Sequence, residues 1–150
     1  MSSARDEIVR LVNRYDFAVD TRRWELFDRI FTTDVEADFS AAAHRRDRPQ
    51  FKTDFAAFHD PFDSTQHIMA NHLVSVDGDV AQAFTYGSCR LVRTGLGWRI
   101  RKRVCRVVWF TGNPFVNETI AGVKFELDCQ VLRREGDAGR VGYLQALRLD

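Results

Sequence analysis

With 150 residues, 45% of them hydrophobic and 29% charged, the chain can bury one sizeable core but not two. Its net charge of +1 gives no bulk attraction for nucleic acid or an anionic membrane surface, and no apolar stretch is long enough to span a bilayer. Cys89, Cys105 and Cys129 form neither a CxxC pair nor a disulfide framework; with no greasy leader at the start, a soluble cytoplasmic protein is expected.

The elements follow in chain order. Ile8, Leu11, Val12, Tyr15, Ala18 and Val19 recur at three-and-four spacing, the mark of a helix with one apolar face, and Ser3 followed by Asp6 offers it a cap. A break falls at Asp20-Thr21, where Thr21 is placed to cap a second helix carrying Trp24, Phe27, Ile30 and Phe31 on one side. DVEADFS, residues 34–40, alternates as a short strand, and AAAHRRDRP is a polar connection with room for a small strand in it. QFKTDFAAFH, residues 50–59, repeats Phe51, Phe55 and Phe58 at helical spacing, and the turn cluster DPFDST then delivers the chain to a strand over 66–76. DGD reads as a hairpin turn with Gly78 free to take positive φ, leading into a single strand over 79–93. TGLG makes a further turn before a long strand over 98–110, which TGNP ends. Residues 114–150 read as a C-terminal extension, first extended (GVKFELD) and then mainly helical on the strength of Leu132, Tyr143, Leu144 and Leu147. Helices first and antiparallel strands afterwards predict a single α+β domain over 1–150, its curved sheet wrapped around the early helices as a half-open cone. The cone's interior is the natural place for a small ligand.

Most chemical constellations fail on spacing. The basic run WRIRKRVCR, residues 98–106, puts charge on both faces of its strand and reads as a solvated, ion-paired surface rather than a nucleic-acid stripe. His44, His59, His67 and His72 show no metal-ligand spacing, and His67 and His72, five apart in a strand, would point to opposite faces. No glycine-rich phosphate loop or nucleophile elbow is present, so neither a metal nor a cofactor is expected. His67, where the chain enters its strand, is an ordinary strand histidine or a base aimed into the cone. Asp20 is a helix-end cap or the partner of that base. A histidine titrates near neutral pH, and a carboxylate partner fixes its tautomer and raises its basicity.

The order of motifs decides in favour of the pair. RYDFAVDTRRW, then TQH opening a strand, then DGDVA and GWRI, resembles the SnoaL-like branch of the NTF2-like superfamily over residues 5–113. That branch includes polyketide cyclases, scytalone dehydratase, a bile-acid dehydratase and a hexachlorocyclohexane dehydrochlorinase. The resemblance implies an NTF2-like cone and an Asp20–His67 dyad in which Asp20 orients His67 and His67 removes a proton from the substrate. It also implies a role for Tyr15 as general acid or hydrogen-bond donor, beside the plain reading of a core tyrosine. Asn71 shares a strand face with His67 and Met69 and is placed to orient a substrate oxygen, and Tyr86 on the next strand can join it. Trp24, Phe55, Phe58, Met69 and Trp109 are cavity walls or simple core.

Two departures from the family stand out. Between DGD and GWRI, where relatives often carry two more strands, VAQAFTYGSCRLVRTGL leaves room for one, so either the sheet is a strand short or the C-terminal tail supplies the missing cover. No histidine follows His72, so a mechanism with a second histidine on a later strand is not expected, and any second acid would be Tyr15, Tyr86 or water. Two functions remain open. One is a cofactor-independent lyase or isomerase acting on a small hydrophobic, oxygenated substrate. The other is a non-catalytic NTF2-like binding or assembly module. Either is expected to form a homo-oligomer, a dimer or trimer, through the sheet face.

Overall fold

The computed structural model describes residues 2–39, 44–85 and 87–105. Tyr86, Trp109, Cys129 and the 114–150 extension lie outside the described residues. Helix α1 runs Ala4–Asp20 and opens with a capping box: the Ser3 hydroxyl accepts from the Asp6 N–H at 3.1 Å and the Asp6 carboxylate accepts from the Ser3 N–H at 3.3 Å. Its buried face is the one the spacing predicted, with Asp16 as an added, charged member. Thr21 caps the end of this helix and not the start of the next, because its hydroxyl donates to the Phe17 carbonyl at 2.6 Å. The expected second helix shrinks to a 3₁₀ turn, Trp24–Leu26, and one turn of helix, α2, Phe27–Ile30. Phe31 leaves it for the sheet, where it pairs with Ile100.

The sheet contains six strands among the described residues, β1 (Phe31–Asp38), β2 (His44–Arg45), β3 (Leu73–Asp77), β4 (Val80–Phe84), β5 (Ser88–Thr94) and β6 (Gly97–Val104), in the order β2-β1-β6-β5-β4-β3. Only β1 and β6 are parallel; the other neighbours are antiparallel. Between β2 and β3 lies helix α3, Arg48–His59, capped by Asp47, which accepts from the Gln50 N–H at 2.8 Å, with Pro49 in the first turn where no N–H is needed. Phe27, Phe31 and Phe51 are fully buried where α2, β1 and α3 meet, their ring centroids 5.0–5.3 Å apart. No described helix is long and apolar enough to cross a membrane.

Two expectations about the strands need correction. The run 79–93 is two strands, β4 and β5, folded back so that Phe84 faces Ser88. The interval thought to hold one strand therefore holds a hairpin. Its turn is hidden because alternation continues through Thr85 and Gly87, and the latter is small for a reason: a Cβ there would stand 3.2 Å from the Arg103 guanidinium and from the Val104 carbonyl. The run 66–76 is a strand only from Leu73, since Asn71 turns left-handed at φ 55 and breaks the extended path. Asn71 is exposed, so the strand face it was to share with His67 and Met69 does not form.

One irregularity controls what enters the cone. Leu91 pairs with Ile100 but Arg90 pairs with Lys102, so Arg101 is an extra residue on β6. The bulge flips the alternation: Trp98 and Ile100 face the interior, and after it Arg103 does.

Candidate active site

Asp20 is the last residue of α1, and both of its oxygens are engaged by the loop that leads to β3. Oδ1 accepts from His67 Nδ1 at 2.6 Å and from the Thr65 hydroxyl at 2.9 Å, and Oδ2 accepts from the His67 backbone N–H at 2.7 Å. Burial works against the charge on Asp20, but these hydrogen bonds outweigh it and hold the carboxyl below its ordinary range. With an ionised carboxylate on Nδ1, neutral His67 carries its proton there and keeps the lone pair on Nε2. The imidazole is about a third exposed, at 34%, and so is reachable.

Arg22 straps the same loop to the helix. Its guanidinium donates to the Val19 carbonyl and the Thr65 hydroxyl, both at 2.8 Å, and to the Phe62 carbonyl at 3.3 Å. The residue sits at φ 56, a conformation an L side chain enters at some expense, so these contacts also hold a strained turn just past Asp20.

Beside the dyad stands a residue the sequence analysis did not single out. His59, at the end of α3, is 4% exposed, with its ring centroid 5.7 Å from that of His67. Its Nδ1 donates to the Phe55 carbonyl at 2.7 Å, leaving Nε2 as an acceptor. Burial pushes its pKa down to about 4, helped by the charges of His67 and Arg22. A second histidine therefore stands beside His67, contributed by a helix and not by a later strand. Its signal was the spacing Phe51, Phe55, His59, which places it on the buried aromatic face of α3. Trp24, Phe55 and Phe58 ring it at centroid distances of 5.9, 4.6 and 4.9 Å, so three of the expected apolar wall residues come together here. Met69 packs at the edge of the core and accepts from the Thr85 hydroxyl.

Tyr15 lies deeper. It is 2% exposed, wedged among Phe27, Phe31 and Phe55, and Arg103 lies over its ring with Cζ 4.8 Å from the centroid. Burial raises its hydroxyl pKa far above the ordinary tyrosine value, which suits it to donate a hydrogen bond and not to give up a proton. Asp16, one helical turn before Asp20, is the other overlooked group. It is buried, its Oδ1 has no hydrogen-bond partner, and burial lifts its pKa to about 6 against the pull of Arg103 and His67. The clue in sequence was its place on the apolar face of α1, four residues from Asp20. Among the described residues no group of three or more His, Cys, Asp or Glu is placed to hold a metal ion.

The fold that carries this pair has known counterparts. A family model of the SnoaL-like domain matches residues 1–109. The chain belongs to the SnoaL-like domain family. An uncharacterized protein of Mycobacterium tuberculosis is 32% identical to this SnoaL-like domain over 123 residues, covering 68% of this chain and 84% of the relative. Among solved structures, an NTF2-like protein with a cystatin-like fold from Novosphingobium aromaticivorans is 20% identical with a TM-score of 0.60, over 76% of this chain and 86% of that one. A candidate scytalone dehydratase from the same organism is 17% identical with a TM-score of 0.53, over 66% of this chain and 71% of that one. These likenesses establish the NTF2-like fold for this SnoaL-like domain, as its sequence implied.

Proposed function

We propose that this SnoaL-like domain is a cofactor-independent lyase or isomerase that starts its reaction by removing a proton from a small, mostly apolar, oxygenated substrate. What carries the reading is the 2.6 Å contact between Asp20 Oδ1 and His67 Nδ1, with the second carboxylate oxygen fixing the histidine backbone. His67 Nε2 takes a proton from a carbon next to an activating group, and Asp20 stabilises the imidazolium that forms. The electron pair passes into the substrate's own carbonyl or expels its leaving group. Dehydration, double-bond isomerisation and aldol-type cyclisation share this step. The aromatic rings around His59 support an apolar substrate body.

The test is solvent deuterium incorporation into 2-tetralone, a hydrophobic ketone with acidic C–H bonds. The full chain should catalyse exchange, and His67→Ala and Asp20→Asn should each lower the rate by at least ~100-fold, the usual scale of a lost general base. Exchange equal in wild type and His67→Ala would rule the base out.

The second reading, an assembly module, draws on Leu73, Val76 and Val80, which expose apolar surface on β3, the terminal strand of the sheet among the described residues, and on its neighbour β4. A second copy of the chain is its occupant, and light scattering after gel filtration of wild type and Val76→Lys tests it. A monomeric wild type ends that reading.

A further inference from the structure

The basic run on β6 divides once its partners are known. Arg101 reaches Asp34 and Lys102 reaches Glu36, each at 3.0 Å, so those two form the ion-paired surface that the sequence suggested. Arg99 is the exception. Among the described residues no carboxylate stands within ion-pair distance of it, and its Nη1 donates to the Leu96 and Trp98 carbonyls at 3.0 and 2.8 Å. Partial burial lowers its pKa, and the positive charges of Arg14, Arg48 and Arg29 press it the same way. Arg48 is answered by Asp28 at 3.1 Å, whereas Arg14 has no acid in reach among the described residues.

Arg99 and Arg14 line the same cavity, about 190 Å³ in volume, between the β5–β6 turn and the outer face of α1. The turn brings Leu96, Trp98 and Arg99 to it, and the helix brings Glu7, Arg10 and Arg14, which share one face by three-and-four spacing. Arg10, which donates to the Ser2 hydroxyl, and Arg14 are both exposed, so a ligand can reach them from solvent. Three arginines against one glutamate leave this lining a surplus of two positive charges, in a chain whose total is +1. Like charges gathered round one cavity repel each other and favour an anion between them. The cavity is remote from the dyad: Arg10 precedes Asp20 by ten residues, about 15 Å along the helix axis.

The surplus and the shape select the anion. A carboxylate brings one charge on two oxygens. A phosphate monoester brings close to two charges near neutral pH, spread over three terminal oxygens of one centre, one for each guanidinium. The planar fork of arginine matches such oxygens. Leu96, exposed at the tip of the turn, offers apolar surface to the esterified group. We propose that Arg10, Arg14 and Arg99 form a binding site for a phosphate monoester in the cavity between α1 and the β5–β6 turn. The site goes beyond the proton-abstraction reading and does not rest on it. Glu7, the acid of the lining, opposes the ligand.

The test compares three probes on the full chain by isothermal titration calorimetry near neutral pH. They are phenyl phosphate; phenyl sulfate, which keeps three terminal oxygens but carries one charge; and phthalate, which splits two charges between separate carboxylates. Wild type should bind phenyl phosphate at least ~10-fold more tightly than either of the others, the scale of one charge-assisted hydrogen bond. Arg14→Gln and Arg99→Gln should each weaken phenyl phosphate by ~10-fold or more, and Glu7→Gln should tighten it by about threefold. Arg46→Gln, which removes an exposed arginine outside the lining, should change nothing, and His67→Ala should bind as wild type does. If Arg99→Gln loosens the turn, Arg14→Gln and Glu7→Gln carry the comparison, because a general loss of fold cannot move affinity in opposite directions. Sedimentation with phosphatidylcholine vesicles carrying phosphatidic acid, a lipid monoester, separates the two sources of such a group. Sedimentation that phenyl phosphate blocks assigns the site to a membrane headgroup, and no sedimentation assigns it to a soluble ester. Phenyl phosphate bound no more tightly than the other two probes, bound equally by Arg14→Gln, or not bound at all overturns the site.

Discussion

Asp16 and His59 impose opposite pH dependences on the stability of the fold, and replacing either one exposes the other. Asp16 is a carboxyl whose folded-state pKa is raised, from 3.8 to about 6, chiefly by burial. Between those values the folded chain holds a proton that the unfolded chain has released, so stability falls as pH rises through the window. His59 is a base whose folded-state pKa is lowered, from 6.5 to about 4, again chiefly by burial. Below 6.5 the unfolded chain takes a proton that the folded one refuses, so this contribution is lost as pH falls. Each tenfold difference in proton affinity is worth about 1.4 kcal/mol, so both groups reach a ceiling of about 3 kcal/mol with opposite signs. Within nearly the same window they cancel in wild type. Asp16→Asn should then gain about 3 kcal/mol relative to wild type between pH 4 and 7, and His59→Phe should lose about as much over the same range. Urea unfolding followed by tryptophan fluorescence at four pH values measures both, and the charges common to all three proteins drop out of the differences. A wild-type-minus-Asp16→Asn difference that stays constant to within ~0.5 kcal/mol would show that Asp16 ionises in the fold as it does in water, and that its buried oxygen is not unpartnered in solution.

Other consequences are simpler. Asp20→Asn turns one of the two His67 contacts into donor facing donor, so the fold should lose about 1–3 kcal/mol and the His67 amide should exchange faster with solvent, both measurable on one NMR sample. Gly87→Ala pushes a methyl group against the Arg103 guanidinium and the Val104 carbonyl, each 3.2 Å away, and should cost about 1–3 kcal/mol in urea unfolding; an unchanged midpoint would mean that the β4–β5 turn gives way freely. Phe27→Ala removes a fully buried ring from the centre of the aromatic cluster and should lower stability by about 3–5 kcal/mol.

How much was legible beforehand depended on whether the signal was local. The three-and-four rhythm of α1, the Ser3–Asp6 cap and the Gly78 turn are properties of a few adjacent residues, and all appear in the structure as expected. Asp20 and His67 stand 47 positions apart in the chain, and only the order of motifs linked them; in the structure they are in contact at 2.6 Å. What escaped needed tertiary information. The β4–β5 turn has no Asn-Gly or Asp-Gly pair to announce it, and Gly87 is small because Arg103 and the Val104 carbonyl leave no room for a side chain. Arg103 itself looks solvent-facing in a run of basic residues until a bulge on β6 turns it inward. His59 and Asp16 look like the polar side of their helices if only composition is weighed, although their spacing put both on buried faces.

Asp16 and Asp20, two of the three aspartates of α1, show how one residue type can serve two ends in one fold. They are four residues apart, about 6 Å along the axis of a rigid helix, and belong to the same apolar face. Asp20, where the helix ends, meets three donors from the His67 loop and stays ionised. Asp16, one turn inside, has an oxygen with no donor and keeps its proton up to about pH 6. Number of donors, not distance from solvent alone, separates them. Carboxyls whose environments drive their proton affinities apart are the usual foundation of acid and base roles. Here one helix supplies both, so their separation is fixed by α-helical geometry and does not depend on how any loop closes.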